Sequence, residues 1–122
     1  MKRIEEFTQN GKNFVFIDFS GLASDEEFME LINSAAPAIA KYPVNSVYTI
    51  TNITNLRFDS HRKEIAIKYM AQNKPYVRRG AFIGLDGIKK MMIKAIMKLS
   101  GRTNMYFTFT KEQAVEWLLQ HG

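Results

Sequence analysis

Residues 73–101 read NKPYVRRGAFIGLDGIKKMMIKAIMKLSG, and this stretch decides the fold. Pro75 closes off any helix before it, because the residue ahead of a proline is pushed out of helical conformation. Tyr76 to Leu85 then reads as a strand. Asp86-Gly87 opens a helix, and Gly101 ends it as a C-terminal cap. A strand feeding directly into a helix is the repeating unit of an α/β fold. Gly80 suits a crowded strand position, while Gly84 and Gly87 shape the turn. No Gly-x-Gly-x-x-Gly or Walker pattern surrounds them, so they do not read as a phosphate loop.

The helix itself has two faces of interest. On a wheel of about 100° per residue, Ile88, Met91, Met92, Ala95, Ile96 and Leu99 share one face, expected to be the core stripe. Lys90, Lys94 and Lys98 share a second. Ile93 and Met97 are expected outside the core stripe, beside those lysines. Lysines next to adaptable apolar side chains suit an anionic lipid surface, a partner helix groove or a homodimer contact.

The same alternation extends toward both ends. Arg3–Thr8 and Asn13–Phe19 flank Asn10-Gly11, a hairpin signal because both residues tolerate positive φ. The second strand, apolar on both faces apart from Asp18, reads as covered on both sides. Ser24 and Glu27 form a capping box for a helix carrying Phe28, Leu31, Ile32, Ala35 and Ile39 inward. Pro37 predicts a kink or an early end to it. Ser46–Ile53 is β-branched and reads as a strand. Asp59 or Ser60 caps a helix that stops before Pro75. Thr103–Phe109 is the last strand. Thr110 to Gln113 is another capping box, starting a helix with Ala114, Trp117 and Leu118 inward. The predicted order is ββαβαβαβα: a mixed, mostly parallel sheet with four helices packed on it, in one domain over 1–122.

Bulk composition narrows the function. The 122 residues contain no cysteine, which excludes disulfides, thiolate catalysis and cysteine-based zinc sites. The N-terminal sequence has no signal-like apolar core, and a cytoplasmic location is expected. Residues 1–60 hold five basic and eight acidic side chains, the rest twelve and four, so a net charge of −3 gives way to +8. That asymmetry favours an anionic partner for the C-terminal half. Nucleic acid is disfavoured, because Tyr76, Phe82 and Tyr106 sit on strands rather than interleaving with an exposed basic patch. His61 and His121 have no second ligand at metal spacing, so neither a metal nor a cofactor is expected. Asp59, Ser60 and His61 are adjacent in sequence and point in different directions, so they do not make a catalytic triad.

Laid out in full, the chain resembles the SpoIIAA-like group of the STAS superfamily, whose members are grouped with SEC14-like domains. The resemblance rests on the N-terminal hairpin, on residues 21–28 (GLASDEEF), Phe58-Asp59 and residues 73–77 (NKPYV). Residues 81–90 (AFIGLDGIKK) and 109–118 (FTKEQAVEWL) complete it. It implies a mixed sheet with packed helices and no catalytic activity. The antagonist members of that family carry Asp-Ser-Ser-Gly-Leu at a helix start, where a partner kinase phosphorylates serine. Asp59 and Ser60 match, His61 stands where the second serine falls, and the Gly-Leu is absent. Ser60 is thereby the phosphorylation candidate. The resulting expectation is a non-enzymatic domain acting through a protein partner. Its contact surface joins Asp59, Ser60, His61 and Arg62 to Lys90, Ile93, Lys94, Met97 and Lys98. The alternative is binding of a lipid or small apolar ligand, SEC14-like, through the third helix.

Overall fold

A hairpin opens the chain. In the computed structural model, which describes residues 2–121, strand β1 (Ile4–Gln9) pairs antiparallel with β2 (Lys12–Asp18). The register from Ile4↔Ile17 to Gln9↔Lys12 leaves Asn10 and Gly11 as a two-residue turn. Their φ values of 52° and 75° are the positive pair that a type I′ turn requires. Next come α1 (Asp25–Ala40), β3 (Val47–Asn52), α2 (Ser60–Asn73) and β4 (Val77–Ile83). The chain closes with α3 (Gly87–Ser100), β5 (Met105–Phe107) and α4 (Lys111–His121). The five strands lie side by side in chain order, and every neighbouring pair from β2 to β5 is parallel.

The helices divide unequally between the faces of this sheet. Val15 and Ile17 of β2 point into a core shared with α1, α2 and α3, whereas Phe14 points into a second core with Ala114 and Leu118 of α4. Two covered faces explain the nearly unbroken apolar run in β2, and Val47 to Ile50 of β3 are buried for the same reason. Gly80 of β4 faces the first core. A Cβ there would stand 2.5 Å from Thr49 Oγ1 and 2.6 Å from the Met105 side chain, so any side chain would have to displace both.

Several boundaries differ from the sequence expectation. Helix α1 does not stop at Pro37 but continues to Ala40. Proline removes only one hydrogen bond so near the C-terminus, and Ala36 and Ile39 anchor the last turn in the core. The Ser24 hydroxyl accepts from the Glu27 amide at 3.1 Å, but the Glu27 carboxylate accepts a hydrogen bond from the Ser24 hydroxyl at 3.2 Å instead of returning to the backbone. The last strand shrinks to three residues because only Gly80 to Phe82 offer it a partner. His121 is the final residue of α4: its ring stacks on Trp117 at 4.2 Å, and Nδ1 lies 2.9 Å from the Trp117 carbonyl.

Candidate functional site

Helix α3 begins where the Asp86 carboxylate accepts the Lys89 amide proton at 2.9 Å. It ends at Gly101, whose φ of 74° places the amide groups of Gly101 and Arg102 onto the carbonyls of Lys98 and Met97. Between these caps the expected helix phase holds only in part: Ile96 is in the core and Met92 packs against it as expected, but the rest of the stripe is rotated. Ile93 and Ile96 are 2% and 0% exposed, and Ser100 is buried with them. Ile88, Met91 and Leu99, assigned to the core, are 81%, 74% and 62% exposed. Ile93 therefore cannot meet a partner, and Met97 is half-buried against the core. The error has a physical source. Eight of fourteen residues in this helix are apolar and surround it except at the lysines. Periodicity then offers two competing arcs, and the one bearing Ile93 and Ile96 packs into the core. Lys89 helps by laying its stem along the buried arc while its ammonium reaches the Asp86 carboxylate at 3.7 Å.

The outer face of α3 is thus a ridge of Ile88, Met91 and Leu99 beside the exposed Lys90, Lys94 and Lys98. There is no carboxylate anywhere in the helix. Lys90 also sits 5.3 Å from the Phe107 ring centre. Phe109, 88% exposed, lies just beyond the C-terminal end of β5.

At the start of α2, Asp59 is the N-cap: its Oδ1 accepts the Arg62 amide at 2.8 Å, and that bond holds the carboxyl below its usual range. Ser60 and His61 are exposed in the first turn, and their side chains make no hydrogen bond with each other. Arg62 departs from the expected contact surface. It is 3% exposed and its guanidinium works inside the protein. Nε donates to Asp25 Oδ1 at 2.7 Å and Nη1 to the Arg57 carbonyl at 3.0 Å, over the Phe28 ring. It ties the start of α2 to the start of α1. Both α2 and α3 begin at the C-terminal ends of their strands, but with Arg62 and Ile93 inside, the expected continuous surface reduces to exposed caps and the lysine flank.

A cavity of about 50 Å³ lies between the sheet and α1–α3. Its wall is apolar except for Thr49, Thr51, Tyr69, Asn73 and Arg102. Tyr69 is buried, and the Asn73 side chain near its hydroxyl falls short of hydrogen-bond geometry. Burial pushes the phenol far above its ordinary range, against a smaller opposing pull from Asn73 and Arg102. Arg102 is 4% exposed. Its donors meet Asn104 Oδ1 at 3.0 Å, the Met70 carbonyl at 3.1 Å and the Met105 sulfur at 2.9 Å, and no carboxylate. Burial lowers its pKa to about 10. This cluster escaped the sequence reading because Tyr69 and Arg102 are brought together only by the packing of α2 on the end of α3.

Among the described residues no group of three histidine or acidic side chains is placed to hold a metal, and no helix is long and apolar enough to cross a membrane. Comparison with protein-family models and with curated proteins gives no match.

Proposed function

We propose that this chain is a non-enzymatic SpoIIAA-like (STAS-like) binding domain, and that helix α3 is the element by which it docks reversibly on an anionic membrane surface. One observation carries the reading: the exposed side of α3 consists of Ile88, Met91 and Leu99 flanked by lysines, with no carboxylate in the helix. That composition favours lipid over protein. Protein interfaces are enriched in arginine, tyrosine and tryptophan and depleted in lysine, and α3 has four lysines and none of those three. A second copy of the chain is a poor occupant, because apposed α3 helices bring lysine against lysine. An acidic lipid surface needs no fixed register and accepts both the apolar ridge and the ammonium groups. The mixed, mostly parallel sheet with helices on both faces is compatible with the family resemblance.

The expected affinity is modest. Each lysine near an anionic surface contributes about 1 kcal/mol, and partial burial of three apolar side chains adds less than the ~1.5–3 kcal/mol each that full burial gives. Cosedimentation with phosphatidylcholine vesicles, with and without phosphatidylserine, tests this. The protein should pellet only with the anionic vesicles and release as salt rises. Lys90→Glu with Lys94→Glu should abolish pelleting, and Met91→Gln with Leu99→Gln should weaken it. Failure to pellet with anionic vesicles at low salt, or equal pelleting with neutral ones, overturns the reading; the first result returns the ridge to a protein partner.

A further inference from the structure

The cavity beneath α2 poses a separate problem of charge. Arg102 is a buried cation whose oxygen and sulfur partners are all neutral, and Tyr69 offers a buried hydroxyl that Asn73 approaches without good hydrogen-bond geometry. Each is costly in a closed protein interior, where a buried charge is normally paired and a buried donor satisfied. A guanidinium has five N–H donors, and the three bonds above leave two unused. Both groups line the same cavity, with the Asn73 amide beside them. Arg102 offers the cavity donors only, and the Tyr69 hydroxyl and Asn73 amide can each donate beside it.

We propose that this cavity is a binding site for a small monocarboxylate bearing a short unbranched alkyl chain. The carboxylate accepts hydrogen bonds from the free guanidinium N–H groups of Arg102 and from the Tyr69 hydroxyl. The chain lies along the apolar wall formed by residues such as Phe82, Met70 and Ile96. Charge and size set the class. One guanidinium balances one negative charge, so a phosphate dianion would leave charge uncompensated among apolar walls. The volume of about 50 Å³ exceeds the roughly 10–15 Å³ that one water needs on the same measure. It falls far below the about 300–1,000 Å³ of pockets for drug-sized ligands. A phospholipid or nucleotide is thereby excluded, and a carboxylate of a few carbons is not. Of the lining residues, Thr51 and Phe58 are the two that are not fully buried.

The site is independent of the outer ridge of α3, so its test is separate. Thermal unfolding of the full chain is followed with sodium butyrate, with sodium chloride at equal ionic strength and with n-butylammonium chloride. Butyrate should raise the melting temperature saturably, as a ligand that binds only the folded state does, and the other two salts should not. Tyr69→Phe should leave the ligand-free melting temperature unchanged or higher, since it removes an unsatisfied buried hydroxyl, yet weaken butyrate binding at least about tenfold. Arg102→Met should abolish binding. If that variant fails to fold, Tyr69→Phe still decides the matter. The proposal is overturned if butyrate gives no saturable shift beyond sodium chloride, if butylammonium matches it, or if Tyr69→Phe binds as tightly as the parent. A structure grown with butyrate that shows only water between Tyr69 and Arg102 overturns it as well.

Discussion

Replacing single α3 residues with alanine separates the two possible rotations of that helix. Ile93 and Ile96 are 2% and 0% exposed. Truncating a buried isoleucine to alanine removes three carbons and leaves a void, at a cost of about 2–5 kcal/mol. Both residues already border the cavity, so the new space merges with the old instead of collapsing, and a cost of about 3 kcal/mol or more is expected. Ile88, Met91 and Leu99 stand 62–81% exposed, and their alanine variants should change stability by no more than about 0.5 kcal/mol. For a domain whose whole stability is on the order of 5–15 kcal/mol, the difference is easily read. Urea unfolding followed by circular dichroism should show midpoints lowered by about 1–3 M for Ile93→Ala and Ile96→Ala, taking slopes of about 1–3 kcal/mol/M. The three outer variants should overlay the parent curve. A loss above about 1.5 kcal/mol for Met91→Ala or Leu99→Ala, a size reserved for packing defects, refutes this helix phase. So does a loss below about 1 kcal/mol for Ile93→Ala, the isoleucine that the other rotation would place outside the core.

Other perturbations test the remaining contacts. Arg62→Met should cost about 2 kcal/mol, because it deprives the Arg57 carbonyl of its donor, and Asp25→Asn a comparable amount, because it leaves the buried Arg62 guanidinium without its counter-charge; a denaturant series on both variants checks this. Gly84→Ala should be among the most damaging single-methyl additions, as φ is +83° and the new Cβ would collide with the Thr54 backbone; expression and melting temperature report it. The Glu6 carboxylate is bonded to Lys41 at 2.9 Å and to the Tyr42 hydroxyl at 2.6 Å, which holds its pKa below the ordinary 4.5. The folded state thus favours the ionised form, so this contribution is complete above pH 4.5 and disappears as the pH falls through the lowered value. The deficit of Glu6→Gln should accordingly vanish in acid. Tyr42 carries the opposite sign: burial and Glu6 raise it to about 12 from 10, so its contribution holds below pH 10 and is lost between 10 and 12, where Tyr42→Phe and the parent should converge.

The elements were legible wherever local chemistry alone fixes them. Asn10-Gly11 specifies its turn without help from the rest of the chain, and Asp59, Asp86, Gly101 and Thr110 act as caps within a few residues of where their types place them. The faces of the central strands were equally plain, because a run apolar on both sides has only one stable home in an α/β sheet. Legibility failed where two solutions had similar local energy. In α3 either apolar arc satisfies helical periodicity, and tertiary packing chooses between them. At Pro37 a breaker was outweighed by Ile39 in the core, which no local rule weighs.

Charged side chains carried the same ambiguity into the site. Arg62 and Arg102 look in sequence like members of a basic surface, and counting them contributes to the +8 of the C-terminal half. Both are withdrawn from solvent, at 3% and 4% exposure. Their fates then diverge for a reason that lies in their neighbours. Arg62 meets a carboxylate, Asp25, contributed by the start of α1, and is thereby a structural tie. Arg102 meets a carbonyl, an amide oxygen and a thioether, and keeps its charge uncancelled beside the Tyr69 hydroxyl. An arginine paired with a carboxylate has its electrostatic demand met within the chain, whereas one held only by neutral acceptors does not. Burial without a counter-charge therefore separates a candidate ligand site from a structural arginine, and that distinction exists only once the packing is known.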